Sequence, residues 1–378
     1  MTLTSGENGA FITSGLTRRS FGRLATMIAA GSSLPFYNES ALAQLSQVRG
    51  APPDAVMINA NENPLGPCPE AAEAIHNVVA KGGRYLYGEA DALGELLAEQ
   101  EGLKADCVQV FAGSSAPLHQ AVLAFTSPAR SFVMGDPGYE AGEKAAQFIG
   151  TKVAKIPLTK DYRHDVKAMA GIANAGLIYI CNPNNPTGTL TPRGEIEWLA
   201  VNKPPGAIVM IDEAYTHIAG APFNSGLVAA GKDVIVLRTF SKIYGMAGLR
   251  AGAAFARPDL LEKITPYSAG GMPVAAMVGA QASLKVKNLV PERRKTIQDI
   301  REDVFAFLDK HKFAYVPSVS NKFMVDVKRP GNEVVMALRQ EKVYIGRVWD
   351  AWPAHVRVSV GTQDEMNKFK AAFLKVMA

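Results

Sequence analysis

What most constrains this chain is a repeated alternation. Short apolar runs at 108–111, 131–134, 153–158, 177–180, 208–211 and 234–237 are separated by stretches of helical periodicity. Runs of that length, with Val and Ile prominent, read as strands buried on both faces. Parallel strands need a crossover between them, and the intervening helices supply it. The expectation is an α/β large domain, a mostly parallel sheet with helices on both faces. Such sheets bind ligands outside the carboxyl ends of their strands. Ser114, Tyr139, Asn185, Asp212 and Lys242 each follow one of the runs, so polar chemistry recurs where a site is expected.

After about residue 265 the pattern changes. A long helical stretch at 286–309 carries Arg293, Arg294, Lys295 and Arg301, read as a solvated face. Short strands are expected at 313–316, 323–327 and 356–360, with helices at 332–340 and 364–378, giving a smaller α+β C-terminal domain. The predicted organisation is a targeting segment at 1–43, an N-terminal arm at 44–66, a large domain at 67–265 and a small domain at 266–378. A chain of 378 residues is long enough for two such cores.

The first 43 residues read as a twin-arginine export signal. Arg18-Arg19 sits in a T-R-R-S-F-G-R stretch, a moderately apolar segment follows to Phe36, and Ala41-Leu42-Ala43 offers a small-x-small cleavage site. The apolar segment is too short to be a permanent membrane span. The expected location is the periplasm or beyond, with the cytoplasm as the alternative. A net charge of +5 is too small to imply nucleic-acid binding. Three widely spaced cysteines and six histidines show no metal-ligand spacing, and no metal is expected. Hydrolase and nucleotide-binding signatures are missing from the sequence.

The stretch 238–250, R-T-F-S-K-I-Y-G-M-A-G-L-R, holds the most specific chemistry. Lys242 follows a buried strand. A lysine becomes a nucleophile near neutral pH when desolvation or a neighbouring cation lowers its pKa. Together with one acid, one amide, hydroxyls, an arginine and two tyrosines on other strand ends, it suits an aromatic phosphorylated aldehyde. Lys242 would hold the aldehyde as an imine and Asp212 would pair with a protonated ring nitrogen. Asn185 and Tyr215 could hydrogen-bond the phenolic oxygen, and Tyr139 could stack on the ring. Ser114 and Ser115, opening a helix, offer hydroxyls and N–H groups to a phosphate, joined by Ser241 and Arg250.

These pieces resemble the pyridoxal-phosphate (PLP) aminotransferases of the aspartate-aminotransferase fold, and within them the histidinol-phosphate aminotransferase branch. The matching motifs run in order: N-E-N-P-L-G-P at 61–67, R-Y at 84–85, G-S-S at 113–115 and D-P-G-Y at 136–139. N-P-N-N-P-T-G at 182–188, D-E-A-Y at 212–215, S-K-I-Y-G-M-A-G-L-R at 241–250 and V-R-V-S-V-G-T at 356–362 complete the set. The resemblance implies fold type I, with a seven-stranded sheet, and pyridoxal 5'-phosphate carried on Lys242, which also serves as general base. It gives Asp212, Asn185, Tyr215, Tyr139, Ser114, Ser115, Ser241 and Arg250 the roles above. It further implies a homodimer with the active site at the subunit interface, where Tyr85 would reach the neighbouring phosphate. Leu86 and Tyr87 follow where the family often has proline, so Tyr87 is the alternative contact. Arg357 would bind the substrate's carboxylate or phosphate, with Arg347 as a second substrate arginine.

The implied reaction is ping-pong transamination between an amino donor, histidinol-phosphate-like or an amino acid, and a 2-oxo acid such as 2-oxoglutarate. A PLP-dependent decarboxylase or carbon–sulfur lyase on the same fold is the alternative, and a non-catalytic PLP-binding protein the second. Taken singly, Tyr139 and Tyr215 would suit a core, Asn184-Asn185-Pro186 a turn, and Asp212-Glu213 a helix N-terminus.

Overall fold

A computed structural model describes residues 50–268 and 270–378. The export-signal reading at 1–43 lies outside the described residues. In chain order the strands are β1 (Val56–Ile58), β2 (Val108–Phe111), β3 (Ser131–Asp136), β4 (Val153–Pro157), β5 (Ala175–Cys181), β6 (Ile208–Asp212) and β7 (Val234–Thr239). They continue as β8 (Gly252–Ala256), β9 (Tyr315–Val316), β10 (Lys322–Asp326), β11 (Val343–Ile345) and β12 (His355–Ser359).

Seven strands form the main sheet in the order β2-β8-β7-β6-β5-β3-β4. All neighbours from β7 to β4 pair in parallel, while β8 runs against both β7 and β2. Every residue of β5, β6, β7 and β8 is buried, which is why they read as continuous apolar runs rather than alternating ones. The registers align their carboxyl ends: Cys181 on β5 lies opposite Asp212 on β6, which lies opposite Leu237 on β7. Residues just past those ends therefore share one edge of the sheet.

The C-terminal part forms a separate antiparallel sheet, β12-β10-β9. The N-terminal arm enters through β1, which pairs in parallel with β11. The three-residue β11 was not among the strands expected from sequence, because Val343-Tyr344-Ile345 is too short to show a period. The arm then turns back toward the main sheet through Asn59, Ala60 and Asn61, all buried.

A helix spans Tyr87–Glu101, with Leu86 in the left-handed conformation just before it. One expectation is corrected. The arginines of the long helix Leu289–Lys310 do not form a solvated face. Arg293 donates to the Ile243 carbonyl (2.9 Å), Arg294 to that of His217 (2.7 Å) and Arg301 to that of Ser320 (3.2 Å). Only Lys295 stays in solvent, paired with Asp299. The helical period carries Arg293, Ile297, Arg301 and Val304 along the buried stripe, and guanidinium groups at its edge meet loop carbonyls there.

Candidate active site

An open cavity of about 710 Å³ lies at the carboxyl edge of the main sheet. Its walls include Ser114, Ser115, Tyr139, Asn185, Asp212, Tyr215, Ser241, Lys242 and Arg250. Nine of the twelve expected site residues therefore meet in one place although they come from five loops.

Asp212 ends β6 and is buried. Its Oδ2 accepts from the Tyr179 hydroxyl at 2.8 Å and its Oδ1 from the Ala214 N–H at 3.0 Å. Burial pushes its carboxyl from the usual 3.8 up to about 6, against the pull of those two donors and of Lys242. The neighbouring Glu213 points the other way: it accepts from Arg238 (2.9 Å) and from the Asn224 backbone (2.6 Å). Arg238 also pairs with Glu101, so Glu213 belongs to a buried structural network. Alternation at a strand end separates the two acids.

Lys242 is buried, and its Nζ lies 3.4 Å from the Ala60 carbonyl of the arm and 5.7 Å from the Tyr215 ring centre. The loop after it is pinned at the Ile243 carbonyl, which accepts from Asn63 (3.1 Å) and Arg293 (2.9 Å). Gly245, at φ +68, brings this loop against the Gly66 backbone so closely that a Cβ would overlap it. The arm thus closes over the lysine.

Ser114 precedes the helix Ser115–Phe125, makes no capping bond and lines the cavity at the helix's N-terminus, where first-turn N–H groups lack helical partners. Arg250 holds a positive φ of 67° and donates to Ser241 Oγ (3.3 Å) and the Ala247 carbonyl (2.9 Å). Ser241 in turn accepts from Thr239 (2.9 Å). At Gly113 a Cβ would collide with the Arg250 guanidinium. Hydroxyls, a helix N-terminus and a guanidinium converging on one pole form an anion cradle. At the next wall the Ser115 and Tyr139 hydroxyls are 3.3 Å apart.

Asn61 is the residue the sequence reading passed over as part of a polar arm. It is fully buried, at a φ of 53°. Its Nδ2 donates to the Tyr215 hydroxyl (3.0 Å) and reaches Asn185 Oδ1 (3.5 Å), while its backbone N–H donates to Ser359 Oγ (2.8 Å). Tyr179 and Lys322 were also missed. Both sit inside strands, where nothing local separates a functional polar residue from a core one.

Three expected residues lie off the cavity wall. Arg357 on β12 is fully buried behind Asn185, donating to its Oδ1 at 2.9 Å and to the Asn59 carbonyl at 2.5 Å. Arg347 is paired with Glu140 and lies over the Trp349 ring at 4.3 Å. Tyr85 is 78% exposed and stacks on Tyr87, itself 73% exposed, at 5.5 Å.

The aminotransferase class I and II profile matches residues 53–373. The chain belongs to the class I and II aminotransferases. The histidinol-phosphate aminotransferase of Moorella thermoacetica is 32% identical over 337 residues, covering 86% of each chain. That of Symbiobacterium thermophilum is 34% identical over 327 residues, covering 84% of this chain and 90% of its own. The crystal structure of the Sinorhizobium meliloti histidinol-phosphate aminotransferase in complex with pyridoxal-5'-phosphate superposes with a TM-score of 0.83 at 25% identity. It covers 96% of this chain and 98% of that one. The fold is that of PLP-dependent transferases of fold type I, and this aminotransferase is a PLP-dependent enzyme.

The cavity fits that cofactor on its own terms. It offers an amine, a buried carboxylate, a phenol and an amide in one lining, together with the anion cradle. Among the described residues no helix is long and apolar enough to cross a membrane, and no His/Cys/Asp/Glu group could hold a metal ion.

Proposed function

We propose that this aminotransferase transfers an amino group from a histidinol-phosphate-like donor or an amino acid to a 2-oxo acid, with Lys242 as its catalytic residue. The observation that carries this is the meeting of Lys242 and Asp212 in one cavity together with the anion cradle. When bound, PLP supplies an electron sink for the pair released at the substrate's Cα. Asp212 holds the ring-nitrogen proton, and Tyr179 and the Ala214 N–H fix the carboxylate for that bond. Asn185 and Tyr215 hold the phenolic oxygen. Tyr139 covers the ring. Ser114, Ser115, Ser241 and Arg250 hold the phosphate. Lys242 Nζ takes the proton from the substrate's Cα, and its enclosure by the arm keeps water from competing for it.

Arg357 takes the substrate's carboxylate or phosphate, exchanging its contact with the Asn59 carbonyl for the anion. Arg347, one ring away across Trp349, takes a second anionic group once Glu140 releases it. The active form is a homodimer, with Tyr85 or Tyr87 reaching the partner's phosphate site; exposed aromatics of this size support a covered face. Export by the twin-arginine route rests on the paired arginines and cleavage site alone.

Purified holoenzyme supplied with single amino donors and no acceptor tests the function. Loss of the visible cofactor band with one equivalent of oxo product supports transamination and names the donor. Release of carbon dioxide or ammonia makes the protein a lyase and refutes the proposal.

A further inference from the structure

A second lysine lies beside the site. Lys322, on β10 of the C-terminal sheet, is fully buried, and its Nζ sits 3.0 Å from the centre of the Tyr215 ring. Ser320 Oγ accepts from it at 2.9 Å. A lysine ammonium is costly to bury, and chain packing alone would be served by a methionine or leucine. What the ammonium has gained here is the electron-rich face of one phenol.

That phenol is oriented. Asn61 donates to its oxygen at 3.0 Å, so the hydroxyl's own hydrogen is directed to another acceptor, and the residue lines the cavity. A cation on the ring face draws electron density from the ring and makes the O–H a stronger donor. The effect falls on Tyr215, the ring over which the Lys322 ammonium sits.

We propose that Lys322 is a positioning residue that sharpens the Tyr215 hydroxyl as a hydrogen-bond donor to the phenolic oxygen of PLP. The charge thereby lowers the basicity of the nitrogen that joins Lys242 to the cofactor. It does so from the C-terminal sheet, on a residue of the main sheet's edge. Other charged and titratable groups surround the pair. Lys242 faces the same ring from the loop after β7 at 5.7 Å. Asp212 comes from β6, with Tyr179 of β5 bonded to it. Cys181 of β5 feels both Asp212 and Lys322, and burial raises its thiol well above the ordinary range. His164 meets the Cys181 carbonyl at 3.1 Å, and burial holds its ring neutral, near a pKa of about 4. Arg357 of β12 is linked to Tyr215 through Asn185 and Asn61. Among these Lys322 is the cation nearest the phenol.

The inference rests on Lys242 being the cofactor-bearing residue, and the test separates the two. The pH midpoint of the visible colour change is titrated in holoenzyme. A wild-type colour that disappears in Lys242→Ala secures the underlying reading before Lys322 is touched. In Lys322→Met, loss of the charge and a weaker phenol donor both let the joining nitrogen keep its proton to higher pH. The midpoint should rise by about one unit. Lys322→Arg should stay within about 0.3 unit of wild type, and in a Tyr215→Phe background Lys322→Met should shift it by less than about half as much. A shift below about 0.2 unit, or one unchanged by Tyr215→Phe, overturns the proposal. Should Lys322→Met not retain cofactor, Lys322→Gln is titrated instead. Loss of cofactor in both neutral variants but not in Lys322→Arg supports a charge role, and loss in all three assigns Lys322 to packing and refutes it.

Discussion

Replacing Asp212 by Asn should separate what the cofactor needs from what the apoprotein tolerates. In the apoprotein the carboxyl is buried and raised from 3.8 to about 6. A raised acid pKa means the folded state holds its proton more tightly than the unfolded state. Stability from this group therefore falls as pH rises from about 4 to about 6, and stays low above that. The shift of about two units corresponds to about 3 kcal/mol, at roughly 1.4 kcal/mol per unit. Asparagine keeps Oδ1 as the acceptor for the Ala214 N–H and turns its NH2 to the Tyr179 hydroxyl, which then accepts instead of donating, and it carries no charge. In urea denaturation of the apoproteins, Asp212→Asn should match wild type near pH 4 and exceed it by about 1–3 kcal/mol at pH 7. With PLP bound the order should reverse, because only the aspartate pairs with a protonated ring nitrogen. Saturating cofactor should then raise the Tm of wild type more than that of the variant. Equal stabilities of the two apoproteins at both pH values, or greater gain by the variant on adding cofactor, would refute the reasoning.

Other perturbations follow from the same geometry. Gly113→Ala places a Cβ against the Arg250 guanidinium at φ +84 and should weaken cofactor binding by about tenfold or more, read by fluorescence titration of the apoprotein. Tyr179→Phe removes the donor to Asp212 Oδ2, and should cost about 1–2 kcal/mol in the free energy of cofactor binding; unchanged affinity counts against the assigned role. Arg238→Met leaves Glu213 and Glu101 facing each other across a buried space. It should lower stability by about 3–5 kcal/mol in urea denaturation, while any folded fraction keeps the cofactor's colour.

The main sheet was legible in the sequence because its strands are buried on both faces, so their apolar runs are continuous and bounded by polar turns. Residues at the strand ends were legible for a related reason. A hydroxyl, an amide or a lysine directly after a buried strand has few structural uses, and the topology then brings such ends together. The contribution of the arm and the C-terminal sheet was much harder to read. Asn61 and Lys322 reach Tyr215 across separations of 154 and over a hundred positions, and no local period marks them. The long helix misled for the opposite reason: a dense run of arginines reads as solvated, although the helical stripe turns Arg293 and Arg301 onto loop carbonyls.

The central claim is that Lys242, and not its buried neighbour Lys322, carries the cofactor. Borohydride reduction of the holoenzyme followed by peptide mapping fixes the attachment point. The cofactor's mass is expected on the peptide containing Lys242 alone, and is expected to be absent from Lys242→Ala. Label on the Lys322 peptide, or label that survives Lys242→Ala, would contradict it.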